Sequence, residues 1–170
     1  MKIYIASSYK SLEPVRILGV ALREIGYDVY VFCDEKEDAY KHSMTIRASS
    51  LYRSWTPKTA MMNKYVQMIY ESDIRELDSS DILILVLPSG KSAHLEAGYA
   101  KGKGKKVFLY GDMELGSYDA MYGMIDKIYD PDDTAVMLMD FHDLLQVEKN
   151  KKLQTIDKGD IANVSLAGEE

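Results

Sequence analysis

Residues 81–90 read DILILVLPSG, and this short stretch decides the fold. Every position from 82 to 87 is apolar, and the run ends at the chain-breaking Pro88-Ser89-Gly90. Continuous rather than alternating apolarity is typical of a strand that is covered on both faces, as in a parallel sheet. Parallel neighbours require crossover connections that are usually helical, so we expect helices on either side of this strand.

The rest of the chain alternates β-rich runs with helical patterns. Residues 12–25 carry apolar side chains at helical spacing, and Gly26 follows as a stop signal. This alternation predicts an α/β fold: an open, mainly parallel five-stranded sheet with helices on both faces, a flavodoxin-like or Rossmann-like three-layer sandwich. The predicted strands are 2–6, 27–33, 82–87, 106–111 and 127–129, and the predicted helices are 12–25, 58–78, 92–102 and 134–147.

Two segments fit this pattern less well. Residues 34–57 are polar and contain Trp55, the only tryptophan. They are interpreted either as a flap of loop and short helices over a binding site or as a surface excursion that Trp55 fixes to the core. Residues 1–147 are predicted to form one domain, followed by a charged tail at 148–170 that is loose or docks on a partner.

Composition excludes several classes of function. The 170 residues suit one domain, and a net charge of -6, from 21 basic and 27 acidic side chains, argues against binding to a nucleic-acid backbone. A single cysteine, Cys33, excludes an internal disulfide. No apolar run is long enough for a membrane span or a signal peptide, so we expect no membrane partner and a cytoplasmic location. The three histidines are too scattered for ligand spacing, so no metal or other cofactor is expected.

Ligands of such sheets bind beyond the carboxyl ends of the strands, which selects Ser7 and Ser8 after the first strand and residues 89–92 after the third. Gly90-Lys91-Ser92 ends like a P-loop, but the first glycine of that motif is replaced by Leu85, which excludes it. Two interpretations remain. The turn holds one phosphate or carboxylate at a helix N-terminus, or it is an ordinary turn with Ser92 as the N-cap.

Two carboxylates are placed near the same edge. Glu96 lies in the first turns of a predicted helix among alanines and glycines, and Asp73 lies on the helix that precedes the central strand. A pair of carboxylates beside a pocket suits glycosidic chemistry, in which one attacks the anomeric carbon and the other manages the leaving group's proton. The simpler interpretation of Glu96 is a solvated side chain.

Residues 73–106 resemble the nucleoside 2-deoxyribosyltransferase family and its nucleotide N-glycosidase relatives. The matching features are Asp73, the Ser80-Asp81 pair before the apolar strand, Glu96-Ala97-Gly98-Tyr99-Ala100, and Gly104-Lys105. The opening KIYIASS at residues 2–8 is similar to the family's first strand.

This resemblance implies roles for three residues. Glu96 is the expected nucleophile, which forms a covalent glycosyl intermediate, Asp73 assists protonation of the departing base, and Tyr4 orients the glutamate. The substrate is expected to be a nucleoside or a nucleoside 5′-monophosphate, cleaved or transferred at its N-glycosidic bond. The alternative is a catalytically weak nucleotide sensor or regulatory module that uses the same pocket.

The resemblance also implies an oligomer, and it leaves the exact substrate open. Residues 118–124 (YDAMYGM) resemble a segment that reaches into a neighbouring subunit's site, which places Asp119 and Met121 there and implies a homodimer or larger homo-oligomer. Transferases of the family carry aspartate, and nucleotide hydrolases serine, where this chain has Gly90. The candidate substrate contacts are therefore Ser7, Ser8, Ser89, Gly90, Ser92, Asp119 and Met121.

Overall fold

A computed structural model describes residues 1–113, 115–116 and 118–165, with side chains up to residue 155. Its five strands are β1 Lys2–Ala6, β2 Asp28–Val31, β3 Ile82–Val86, β4 Lys106–Tyr110 and β5 Lys127–Tyr129. They form one sheet in the order β2-β1-β3-β4-β5, and every neighbouring pair is parallel. The predicted open parallel sheet is confirmed.

Helices cover both faces of this sheet, as predicted. They are α1 Leu12–Ile25, α2 Asp38–Ala48, α3 Pro57–Ala60, α4 Lys64–Asp78, α5 Lys91–Gly102 and α6 Thr134–Ser165. One face of the sheet packs against α1 and α6 and the other against α4 and α5, so the core has two halves. Three 3₁₀ segments connect the elements at Ser50–Ser54, Ala120–Met124 and Pro131–Asp133.

Burial on both faces explains why every residue of the central strand β3 is apolar. Ile82, Ile84 and Val86 lie in the half of the core that contains α1 and α6, whereas Leu83 and Leu85 lie in the half that contains α4 and α5. Successive side chains of a strand point to opposite faces, so a strand with helices on both sides must be apolar throughout.

The helix predicted over 58–78 is wrong as a single element. It begins at Pro57, stops at Ala60 and resumes at Lys64. Asn63 causes the restart because its side-chain oxygen accepts a hydrogen bond from the Tyr65 N–H at 2.9 Å. An asparagine that caps a helix keeps its own backbone outside helical geometry. A continuous stripe of apolar residues does not reveal such a break.

The last helix begins at Thr134 as predicted but continues to Ser165, so its predicted end at residue 147 is too early. Among the side chains of this helix that the structure describes, up to residue 155, the last buried one is Leu145, and residues 149–155 are exposed. The division into a domain at 1–147 and a tail at 148–170 stays a prediction. Residues 166–170 of the predicted tail lie outside the described residues.

Residues 34–57 form short helices rather than a loop. α2 packs against α4, and the 3₁₀ segment Ser50–Ser54 follows it. Trp55 is half-buried, so it is not the deep anchor that one interpretation requires. Ala39, Ser43 and Arg47 recur at helical spacing on α2 and line the cleft described below, which favours the flap interpretation.

Candidate active site

A cleft of about 580 Å³ opens at the carboxyl ends of β1 and β3. The chain turns from β1 toward β2 on one side and from β3 toward β4 on the other, so this is the switch point of the sheet, where open α/β folds place their ligands. The lining comes from the β1 loop, α2, α4 and α5. It includes Tyr4, Ser7, Ser8, Tyr9, Lys10, Phe32, Ser43, Arg47, Asp73, Gly90, Ser92 and Glu96.

The two predicted carboxylates meet in this cleft. Glu96 lies on the second turn of α5 and Asp73 in the middle of α4, and both are partly buried. α5 lies close to the sheet because its inward face consists of small residues, Ala93, Ala97 and Ala100. This close approach sets Glu96 at the edge of the sheet, facing Asp73 across the cleft.

Two stacked tyrosines lie beneath the carboxylates. Tyr4 of β1 and Tyr30 of β2 are register partners, and their ring centroids are 4.9 Å apart. The Tyr30 hydroxyl donates a hydrogen bond to Asp73 Oδ1 at 3.0 Å, while the Tyr4 hydroxyl interacts with the Glu96 carboxylate. Each carboxylate therefore has a tyrosine beside it, and the predicted role of Tyr4 in orienting Glu96 stays a prediction.

Sequence analysis missed Tyr30. It lies in the run YDVYVFC, where a tyrosine is an ordinary strand residue. Its register with Tyr4 and its hydrogen bond to Asp73 show that it belongs to the site, and neither is visible in the sequence of the strand.

Burial shifts both carboxylates toward the protonated form. Desolvation, and then the nearby charge of Asp73, raise the pKa of Glu96 to about 7, against an opposing effect of Tyr4. Desolvation raises the pKa of Asp73 to about 6, with the charge of Glu76 adding to it and the Tyr30 hydrogen bond opposing it. A buried pair whose protonation changes near neutral pH is typical of acid-base and nucleophilic sites.

Such a pair lowers the stability of the folded protein at alkaline pH. Because the folded state binds a proton on Glu96 more tightly than the unfolded chain does, the free energy of unfolding falls as pH rises from about 4.5 to about 7. We expect Glu96→Gln to raise the free energy of unfolding by about 3 kcal/mol at pH 8, and this gain to vanish below pH 4.5. Urea denaturation at both pH values measures it. Glu71→Gln, an exposed glutamate on α4, is the control, and an equal gain in that variant at pH 8 would contradict the account.

The serines of the β1 loop hold the site together. Ser7 Oγ donates to the Val86 carbonyl at 2.8 Å, and Ser8 Oγ donates to the Pro88 carbonyl at 3.2 Å. Both line the cleft as predicted, but their hydroxyl groups donate their hydrogen atoms to backbone carbonyls at the end of β3 and in the loop that follows it. They fix the two loops that form the cleft and leave only acceptor capacity for a ligand.

Of the three substrate contacts predicted in the loop after β3, two line the cleft and one does not. Gly90 and Ser92 line the cleft, whereas Ser89 Oγ lies 3.3 Å from His94 Nδ1. Ser92 is not the N-cap that one interpretation assigned, since α5 begins at Lys91 and Gly90 precedes it without any side-chain cap. A Cβ added at Gly90 meets no atom within 4 Å, so the space for a longer side chain exists but is unfilled.

The structure does not bring Asp119 and Met121 to the cleft of their own chain. They line a separate cavity of about 230 Å³ beside α5, together with His94 and Tyr122. His94 Nε2 lies 3.0 Å from the Tyr122 hydroxyl, which ties this segment to α5. Met121 itself is 60% exposed. Its predicted place in a neighbour's site stays a prediction.

Among the side chains that the structure describes, no three His, Cys, Asp or Glu residues are grouped to hold a metal ion. No helix in the described part of the chain is both long and apolar enough to cross a membrane.

No model of a protein family and no curated protein matches the sequence. Solved structures do match the fold. The CMP N-glycosidase BcmB of Clostridium botulinum superimposes with a TM-score of 0.50 at 16% identity, over 82% of this chain and 99% of that one. The chain shares the fold of this N-glycosidase. A conserved protein of Enterococcus faecalis gives a TM-score of 0.54 at 18% identity over 83% of this chain and 96% of its own.

A third structure, the 2-deoxyribosyltransferase of Bacillus psychrosaccharolyticus, gives a TM-score of 0.47 at 17% identity over 76% of this chain and 99% of that one. The first two structures, and not this third one, confirm the fold that the sequence resemblance implies, and the chain spans nearly the full length of both.

Proposed function

We propose that this protein is an enzyme of the nucleoside 2-deoxyribosyltransferase family or its N-glycosidase relatives, which cleaves or exchanges the N-glycosidic bond of a nucleoside or nucleoside 5′-monophosphate. The observation that carries the proposal is the pairing of Glu96 and Asp73 across one cleft, each with a phenolic partner and each with its pKa raised toward neutrality. The shared fold of a CMP N-glycosidase supports it.

In the first step, an ionised Glu96 oxygen bonds to C1′ of the sugar while the bond from C1′ to the base nitrogen breaks. The electron pair of that bond stays with the base, and Asp73 donates its proton so that the base leaves neutral. In the second step, water or another base attacks C1′, gives its proton to Asp73 and releases Glu96.

The pair carries one proton near physiological pH, as the reaction requires, because burial keeps both pKa values near neutrality. In the unliganded site Glu96 has the higher pKa, so this proton resides more often on Glu96 than on Asp73. The reactive form is the tautomer in which Asp73 is protonated and Glu96 is ionised, and interaction with Tyr4 favours it by lowering the pKa of Glu96. The Tyr30 hydrogen bond fixes the position of the Asp73 carboxyl group but lowers the pKa of that group.

The test is base release from a panel of ribonucleosides, 2′-deoxyribonucleosides and their 5′-monophosphates, followed by chromatography with and without a second free base. We expect turnover of at least one member. Formation of a new nucleoside or nucleotide only when a free base is added identifies a transferase. Release of free sugar from a nucleoside, or of sugar 5-phosphate from a monophosphate, without an added base identifies a hydrolase. Failure to release base from any member would contradict the proposal.

A nucleotide sensor is the second candidate, and Gly90 is the observation that favours it. The position offers open space beside the cleft, yet it lacks the side chain that members of the family place there. Tight binding of a nucleotide without release of base would favour this function over catalysis.

The site also opens on an apolar groove that a second copy of the chain would cover. A cavity of about 480 Å³ between α4 and α5 shares Asp73 and Glu96 with the cleft. Its rim includes Leu95, which is 75% exposed, and Tyr70, which is 63% exposed. Exposed apolar surface beside a site is typical of a contact surface, and we propose that Met121 of a neighbouring subunit contributes there.

Complementation between two inactive variants tests this shared site. We expect Met121→Glu and Glu96→Gln each to lose activity as homo-oligomers. If the sites are shared between two subunits, an equal mixture that is unfolded and refolded together regains about a quarter of the wild-type activity, because half the dimers are mixed and each has one intact site. Activity that stays lost in the mixture, or an active monomer in light scattering, would contradict shared sites.

A further inference from the structure

The buried hydroxyl of Tyr30 has a single acceptor. Tyr30 is 3% exposed, and among the described residues its hydroxyl forms one hydrogen bond, which it donates to Asp73 Oδ1 at 3.0 Å. Burial, and then the charge of Asp73, raise the pKa of this phenol well above its usual range, so it keeps its hydrogen and stays a donor at physiological pH. Since a buried donor without an acceptor is costly, Asp73 Oδ1 must remain an acceptor in either protonation state of the carboxyl group.

The second oxygen of Asp73 is left free for chemistry. Oδ2 forms no hydrogen bond to any described residue, whereas every fully buried side-chain oxygen in the described part of the chain has a partner. Oδ2 is therefore not sealed in the core, and Asp73 lines both the cleft and the groove between α4 and α5. A neutral carboxyl group carries its hydrogen on one oxygen only. Because Oδ1 accepts from Tyr30, that hydrogen belongs on Oδ2.

The fold holds the phenol and the carboxyl group in a fixed relation. The Tyr30 ring stacks on that of Tyr4, its register partner, at an interplanar angle of 26°. It lies in the same half of the core as Leu77, which follows Asp73 by one turn of α4 and is fully buried. Both sides of the hydrogen bond are thus anchored by packed side chains.

Tyr30 is the one donor among the ionisable groups around Asp73. The others come from the strands, loops and helices that surround the carboxyl group, and among the described residues none donates a hydrogen bond to it. They are Tyr4, Tyr9, Lys10, Arg47, Glu76 and Glu96. The choice between the two Asp73 oxygens therefore depends on Tyr30.

We propose that Tyr30 is a positioning residue for the acid step, which occupies Asp73 Oδ1 and so places the transferable proton on Oδ2, the oxygen that a departing base can reach. This role rests on the proposed function, since it concerns the proton that Asp73 gives to the base. Without the phenol, the proton is divided between two oxygens of a carboxyl group that can rotate, and only one arrangement delivers it.

The experiment compares Tyr30→Phe with Tyr27→Phe. Tyr27 is a matched control because it is also buried, at 4% exposed, and donates one hydrogen bond, to the Phe141 carbonyl at 2.7 Å, in the half of the core away from the cleft. Each variant is assayed on the base-bearing substrate and on the 4-nitrophenyl β-glycoside of the same sugar. The nitrophenolate leaves with the electron pair of the C1′–oxygen bond and needs no proton, so its release does not depend on the acid step.

Tyr30→Phe is expected to lower the ratio of kcat for base release to kcat for nitrophenolate release by about tenfold. The loss is smaller than that from removing the carboxyl group, because losing the hydrogen bond also raises the pKa of Asp73 and so increases its protonated fraction. Tyr27→Phe should keep the wild-type ratio. An unchanged ratio in Tyr30→Phe, or an equal fall in Tyr27→Phe, would overturn the assignment.

A titration that needs no turnover separates this role from the proposed reaction. Carbon-13 NMR of the aspartate carboxyl groups follows Asp73, whose signal is assigned by its loss in Asp73→Asn. Its pKa, about 6 in the wild type, should rise in Tyr30→Phe and stay the same in Tyr27→Phe. An Asp73 pKa that does not rise would overturn the role of Tyr30 and leave base release by Glu96 and Asp73 possible. Absence of any base release by the wild type would instead contradict the proposed function.

Discussion

Glu96→Gln is expected to lower kcat/KM for base release by at least about a thousandfold, because the amide cannot form the bond to C1′ that the ionised carboxylate forms. The loss should not reflect unfolding, since the same substitution removes a buried carboxylate whose pKa is raised to about 7 and should stabilise the fold at pH 8. Chromatographic assay of base release, combined with thermal denaturation of the same sample, measures both effects.

Glu71→Gln again serves as the matched control, because Glu71 is exposed on α4 and does not line the cleft. It should retain wild-type activity. A Glu96→Gln variant that keeps a tenth or more of the wild-type rate would contradict a nucleophilic role for this residue.

Asp73→Asn is expected to lower kcat by about 10²- to 10⁴-fold, as is typical when a general acid is removed. It should also change the shape of the pH profile. The wild type needs one proton on the pair, so its activity should be highest between about pH 6 and about pH 7, falling on the acid side as both groups are protonated and on the alkaline side as both ionise.

In Asp73→Asn only Glu96 remains to titrate. Without the charge of Asp73 nearby, the pKa of Glu96 falls below its wild-type value of about 7. Residual activity should therefore rise with pH to a plateau, with its midpoint below the wild-type Glu96 pKa of about 7, and should show no decline at alkaline pH. A bell-shaped profile that persists in this variant would show that another group supplies the proton.

The sheet was predictable because its signals are local. Six consecutive apolar positions at 82–87 require cover on both faces, and helical patterns before and after supply it. Glu96 and Asp73 were predictable for a related reason. Each lies on a helix directly joined to that strand, so its distance from the carboxyl edge is set by chain length alone.

The parts of the site that sequence patterns did not identify depend on contacts between distant segments. Tyr30 joins the site through its register with Tyr4, and register is not visible in a single strand. Arg47 joins it because α2 folds back onto α4 and Tyr9 holds the guanidinium. The restart of the helix at Asn63 is a local signal that the apolar periodicity of 58–78 concealed.

The stereochemistry of the first-formed product tests the central claim most directly. If Glu96 forms a bond to C1′, the reaction has two displacements, and the anomeric configuration of the substrate is retained. Turnover in the presence of methanol, followed at once by proton NMR, should give the methyl β-glycoside from a β-nucleotide. A methyl α-glycoside would mean that a single displacement occurs without a covalent intermediate on Glu96, and would contradict the account.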